Sequence, residues 1–120
     1  MTYFYIFLGG GLGSLARYIT SKAANQIIAT DLPIGTFISN MVACTILAIV
    51  VVLLSTKQQG YEWVQPLLIV GFCGGYSTFS AFSNETFHLI DTGQTFIAIL
   101  NVLLSVAVGV GLIFFIRAKS

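Results

Sequence analysis

Apolar residues in this chain gather into four long tracts separated by short polar punctuation. A helix that crosses a bilayer core of roughly 30 Å needs about 20 mostly apolar residues. The first tract runs from about Tyr3 to Ile19 and the second from about Ile34 to Leu54. The third, from about Trp63 to Ile90, is interrupted near residues 74–78, and the fourth runs from about Thr95 to Ile116. The connections carry the residues that stop helices. Asp31-Leu-Pro33 precedes the second tract, Thr56-Lys-Gln-Gln-Gly60 follows it, and Asp91-Thr-Gly93 separates the last two. Pro66 falls in the first turns of the third tract, where its missing N–H does least harm. The pattern predicts one all-α transmembrane domain over residues 1–120, with four spans, the third broken near its middle.

Composition strengthens this picture. Of 120 residues only 8% are charged, 57% are hydrophobic, and the mean hydropathy is +0.95. A soluble domain is about one quarter charged, so a soluble monomer is excluded and the partner along most of the surface is membrane lipid. A net charge of +1 from five scattered cations excludes an electrostatic nucleic-acid binder, which needs a clustered basic face. Cys44 and Cys73 sit in apolar runs without a Cys or His cluster and read as small buried hydrophobes. The N-terminus lacks the basic region of a signal peptide.

The glycine run Gly9-Gly-Gly-Leu-Gly13 contains a GxxxG pair, and Gly10 with Ser14 repeats the spacing, which predicts close helix packing. Gly11-Leu-Gly13-Ser-Leu-Ala16 also fits a dinucleotide-binding pattern. That motif needs a strand–turn–helix in an α/β domain, for which four spans leave no room. Charge placement bears on orientation. With four spans, Lys57, Arg117 and Lys119 fall on one side, and Arg17 and Lys22 on the other. Three cations against two barely set a topology, so the chain is expected to insert both ways and work as an antiparallel, dual-topology homodimer.

Polar residues inside the spans define a candidate path, since they are expensive there unless paired or facing an aqueous route. Thr36 and Asn40 share one face of the second span; Asn101 and Ser105, with Gly109, share one face of the fourth. Interhelical hydrogen bonds are the plainer reading of such pairs on composition alone. The third span shifts the balance. Gly74-Gly75 weakens the helix, and Ser77, Thr78, Ser80 and Ser83 can bond freed backbone groups. A broken helix at membrane depth persists only where protein or a hydrophilic cavity covers it. It supplies carbonyls for a cation and amides for an anion. Phe79 and Phe82 follow the break at i, i+3, and aromatic rings carry a positive edge that can face a small anion. Lipid-facing phenylalanine is the plainer reading of that pair.

Three segments in order carry a family resemblance: Gly9-Gly-Gly-Leu-Gly-Ser-Leu-Ala-Arg-Tyr18, Pro33-Ile-Gly-Thr-Phe-Ile-Ser-Asn40, and Gly71-Phe-Cys-Gly-Gly-Tyr-Ser-Thr-Phe-Ser-Ala-Phe-Ser-Asn-Glu85. With the length and layout, the chain resembles the small four-helix fluoride channels of microbes, the Fluc or CrcB family. The resemblance implies a fluoride-selective ion channel of the cell (inner) membrane that passively exports fluoride, with two pathways per homodimer. It implies that ring edges of Phe79 and Phe82 line the anion path and that Asn40 donates to it. Ser80, Thr78 and Ser105 join as hydroxyl residues. The family pattern has a polar-track residue near Asn101 (tyrosine in some members), and an asparagine amide can also donate. Arg17 resembles the arginine near a vestibule, although a cation snorkelling at a helix end explains it as well. The backbone carbonyls of Gly74 and Ser77 resemble ligands of a structural, untransported sodium ion at the dimer centre.

The alternative is a small proton-coupled multidrug transporter of dual topology. Such a transporter needs an embedded carboxylate, and the only acid within a candidate span is Glu85, late in the third. An enzyme is not expected, because His88 is the sole histidine and no catalytic constellation accompanies it.

Overall fold

The computed structural model of the protein describes residues 1–28, 33–56 and 60–119. The connection carrying Asp31 and the loop cation Lys57 lie outside the described residues. Among the described residues all regular structure is helical. Helix α1 spans Thr2–Ile27 and α2 spans Ile34–Ser55. Helix α3 covers residues 65–76, π-wound over Gln65–Cys73 and α-helical over Gly74–Tyr76. Helix α4 spans Phe79–Asp91 and α5 spans Thr95–Ala118. The molecule measures 52 Å along its long axis, enough for a bilayer core and its headgroup layers, about 40–45 Å together.

Three stretches are long and apolar enough to cross a membrane: Ile34–Ser55, the broken pair Gln65–Asp91, and Thr95–Ala118. The expected first span, 3–19, is present as a helix but continues to Ile27. Its composition is diluted by four glycines and by the polar run Thr20-Ser-Lys22. It nevertheless lies along α3. A side chain on Gly9 would strike the Leu67 carbonyl, and one on Gly13 would strike the Phe72 carbonyl. Ascending positions of α1 therefore meet ascending positions of α3, so the two helices run parallel and backbone to backbone. The GxxxG pair is a packing device, as the spacing predicts.

Elsewhere the same logic recurs. Gly35 of α2 admits Ser21 of α1, and Gly109 of α5 lies against Cys44 and Met41 of α2. The interior is built from small residues, Ala24, Ala43, Ala48 and Ala98 among them, while Phe7, Leu103, Phe114 and Phe115 face outward. Large apolar groups outside and small ones inside is the arrangement that suits lipid as solvent. The link from α4 to α5 is a Schellman turn: the Gln94 N–H donates to the Leu89 carbonyl at 2.7 Å, and Gly93 takes φ 85°.

The break lies later than the glycine pair. Gly74 and Gly75 are helical, and the chain leaves the helix at Ser77 (ψ 158°) and Thr78 (φ −154°, ψ 125°). Gly75 is there for close approach, since its Cβ would lie 2.5 Å from the Gly10 carbonyl oxygen. A substituent on Gly74 would meet nothing within 4 Å.

Candidate functional site

The site begins with the backbone groups that the break sets free. In an uninterrupted helix the N–H groups of residues 78 and 79 donate to the carbonyls of 74 and 75. Here the Thr78 N–H donates to Asn40 Oδ1 at 3.0 Å. The Gly75 carbonyl accepts from Arg17 Nε at 3.2 Å. The Cys73 carbonyl takes both the Ser77 N–H, at 3.0 Å, and the Ser77 hydroxyl, at 2.7 Å. On the far side, Thr78 Oγ1 caps α4 by accepting from the Ala81 N–H at 3.2 Å. Side chains from α1 and α2 thus satisfy backbone groups that the interruption releases.

Against this break lies a cavity of about 300 Å³. Asn40, Met41 and Cys44 line it from α2; Ser77, Thr78, Phe79 and Phe82 from the break and α4; Ser105 and Val106 from α5. No charged side chain lines it among the described residues. Because Asn40 Oδ1 is held by the Thr78 N–H, its amide nitrogen is the end left to donate. The rings of Phe79 and Phe82 stand 6.1 Å apart and tilted by 40°, within the range where edges and faces are both presented. The Ser105 hydroxyl is buried without a partner among the described residues.

The cavity therefore brings together Asn40, Thr78, Phe79, Phe82 and Ser105 from the sequence reading. Three other residues stand apart. Ser80 is exposed and does not line the cavity, although its hydroxyl lies 3.2 Å from that of Thr78. Asn101 lines a second, apolar hollow of about 280 Å³ with Pro33, Phe37 and Leu104, and its amide donates to Thr86 Oγ1 at 3.2 Å. Arg17 sits well inside α1, and its Nε donates to the Gly75 carbonyl at the break.

Sequence pattern alone gave no reason to single out Met41, Cys44 and Val106, since apolar residues carry no mark of facing a cavity. Glu85 lies one turn beyond Phe82, with one carboxylate oxygen buried and unpartnered among the described residues. It does not line the cavity.

The carbonyls expected to hold sodium fit that purpose chemically. The α-helical donor of the Gly74 carbonyl is diverted to Asn40, Gly74 itself is exposed, and Ser77 is in extended backbone. Neutral oxygens released from helical bonding are the donors a hard monovalent cation takes.

The family model for CrcB-like protein, Camphor Resistance (CrcB), matches residues 4–116. The chain belongs to the CrcB family. Relatives with the name fluoride-specific ion channel FluC cover nearly the same length. One from Flavobacterium psychrophilum is 43% identical over 108 residues, 90% of this chain and 87% of the relative. One from Coxiella burnetii is 44% identical over 108 residues, 89% and 87% of the two chains. One from Pyrococcus abyssi is 42% identical over 117 residues, 95% and 93%. These relatives are named as ion channels and not as enzymes. The apolar spans and the CrcB membership make this a multi-pass membrane protein.

Proposed function

We propose that this chain forms a fluoride-selective channel and that the cavity beside the break belongs to its anion path. The observation that carries the reading is the cavity itself. It is neutral, and its recognition groups are an amide donor (Asn40), hydroxyls (Thr78, Ser105) and aromatic rings (Phe79, Phe82). The names of the relatives support fluoride as the ion.

Fluoride is small and strongly hydrated, so a selective path must replace water with closely spaced donors. The same path must hold the ion weakly enough at successive sites for it to leave. A fixed ammonium or guanidinium in the cavity would trap it; neutral dipoles and ring edges do not. Larger halides make weaker contacts with closely spaced donors, so the same groups favour fluoride.

Four spans enclose little by themselves, and Phe79 is 79% exposed in the single chain. A second copy covers that face in our reading, giving an antiparallel homodimer with two pathways. Helix α1, which runs parallel to α3, crosses with it as the fourth span. The Gly74 and Ser77 carbonyls of both copies would hold sodium, which supplies fixed positive charge beside the paths. The membrane is the cell's inner membrane. Transport is passive export: fluoride that enters as neutral HF ionises in the cytoplasm and leaves down its gradient. The rival proton-coupled drug transporter would need a carboxylate in the cavity, and Glu85 is outside it.

Two experiments test this reading. In a bacterium without its own fluoride exporter, the chain should restore growth on fluoride, and Phe82→Ile should not. No rescue by the folded wild-type chain would contradict export. A reporter fused after Ser120 should be found on both faces of the membrane; one face only would contradict dual topology.

A further inference from the structure

The break is held from outside the cavity as well as from within it, at a point the conduction reading does not use. Tyr76 is the last helical residue before the break and is 6% exposed. Its phenol oxygen lies 2.8 Å from Thr20 Oγ1 on α1, a hydrogen bond in which either hydroxyl can donate. The Tyr76 ring stacks on Phe72, one turn earlier, with centroids 5.5 Å apart and planes 24° from parallel. Gly13 makes room for this turn, because a Cβ there would lie 2.8 Å from the Tyr76 nitrogen. One turn before Thr20 on the same face of α1, Arg17 holds the Gly75 carbonyl.

We propose that Thr20 and Tyr76 form a latch that positions the break, and that both are positioning residues for conduction. The proposal rests on the channel reading above. Ser77 and Thr78 follow Tyr76 directly, line the cavity, and include the N–H that orients Asn40. The last turn of α3 has lost the continuing helix that would normally fix its rotation about the axis. Tyr76 is buried, so a phenol deprived of Thr20 loses the hydrogen-bond partner that the structure gives it, and the turn can rotate and carry Ser77 and Thr78 with it. Neither Thr20 nor Tyr76 lines the cavity, so the effect travels through backbone position and not through contact with the ion.

The test uses the full chain, with Tyr76→Phe and Thr20→Val each deleting one hydroxyl, Thr20→Ser restoring it, and the double variant. Two readouts are needed: hydrogen exchange of the segment 77–81 in the purified protein, and fluoride flux from liposomes. Each single deletion should raise exchange in that segment and lower flux, each by about threefold, the scale of an average hydrogen bond between membrane helices. The double variant should be no worse than either single one, and Thr20→Ser should match the wild type. Raised exchange with unchanged flux would overturn the positioning role, leaving the latch merely structural. Lowered flux with unchanged exchange, additive losses, or no change in either readout would overturn it too. If the wild type passes no fluoride the channel reading itself fails, and the exchange data alone then decide whether the latch exists.

Discussion

Asn40 Oδ1 accepts the Thr78 N–H at 3.0 Å, so one side chain of α2 both closes the broken end of the helix and turns its amide donor to the cavity. The two halves of the amide can be separated by mutation. Asn40→Asp keeps an acceptor for Thr78 and replaces the donor by a like charge. Two like charges 4 Å apart at an effective dielectric of 20 repel by ~4 kcal/mol. Fluoride flux should therefore fall on the order of a hundredfold or more, with α3 and α4 still folded by circular dichroism. Full transport by Asn40→Asp would reduce Asn40 to a packing residue.

The paired rings give a second expectation. Phe79→Ile and Phe82→Ile keep apolar bulk and remove the aromatic edge. Each should cut fluoride flux by about fivefold or more, since stabilisation worth ~1 kcal/mol or more per ring is lost from the path. Elution position on size exclusion should not change. Unchanged flux in both variants would remove the rings from recognition.

Ser105 offers a cleaner separation of folding from function. Its hydroxyl has no partner among the described residues although it is buried beside the cavity. Ser105→Ala should leave the thermal midpoint where it is, because no protein hydrogen bond is lost, and should lower flux severalfold. A drop in the midpoint together with normal flux would assign Ser105 to structure.

Glycines should divide by what stands opposite them. Gly13→Ala would force a methyl group against the Phe72 carbonyl and Tyr76 nitrogen, and Gly75→Ala would force one against Gly10. Both should destabilise the fold by about 1–3 kcal/mol, the usual range for overpacking. Gly11→Ala meets nothing within 4 Å and should be neutral or stabilising by up to ~1 kcal/mol through helix propensity. Thermal midpoints of the purified variants check the contrast. Equal effects at Gly11 and Gly13 would contradict the α1–α3 packing.

What the sequence made legible follows from the physics that each feature obeys. Span positions were readable because lipid demands unbroken apolar tracts, and α2, α4 and α5 end within two residues of the expected limits. The end of α1 was not readable, because the polar run from Thr20 to Gln26 continues the helix beyond the apolar tract. The break falls at the end of the expected interval 74–78, since Gly74 and Gly75 stay helical despite their low helix propensity and Gly75 packs against Gly10 of α1. The chain leaves the helix at Ser77 and Thr78, where Asn40 supplies a partner for the Thr78 N–H. Asn40, Phe79 and Ser105 were conspicuous as polar or patterned residues in spans. Thr20, Tyr76 and Met41 were not, because their roles depend on which helix lies opposite, and one chain read in order does not disclose its neighbours. Asn101 looked like part of the same track by its spacing from Ser105, but one helical turn was enough to put it beside Thr86 and a different hollow.

Selective fluoride conduction can be measured by reconstituting purified wild-type protein in liposomes loaded with fluoride or with chloride and recording efflux with ion-selective electrodes. Rapid fluoride efflux and essentially no chloride efflux are expected, because closely spaced donors and ring edges from Asn40, Phe79, Phe82 and Ser105 offset the loss of water best for the smaller, more strongly hydrated ion. Comparable efflux of the two halides, or none of fluoride, would contradict selective fluoride conduction.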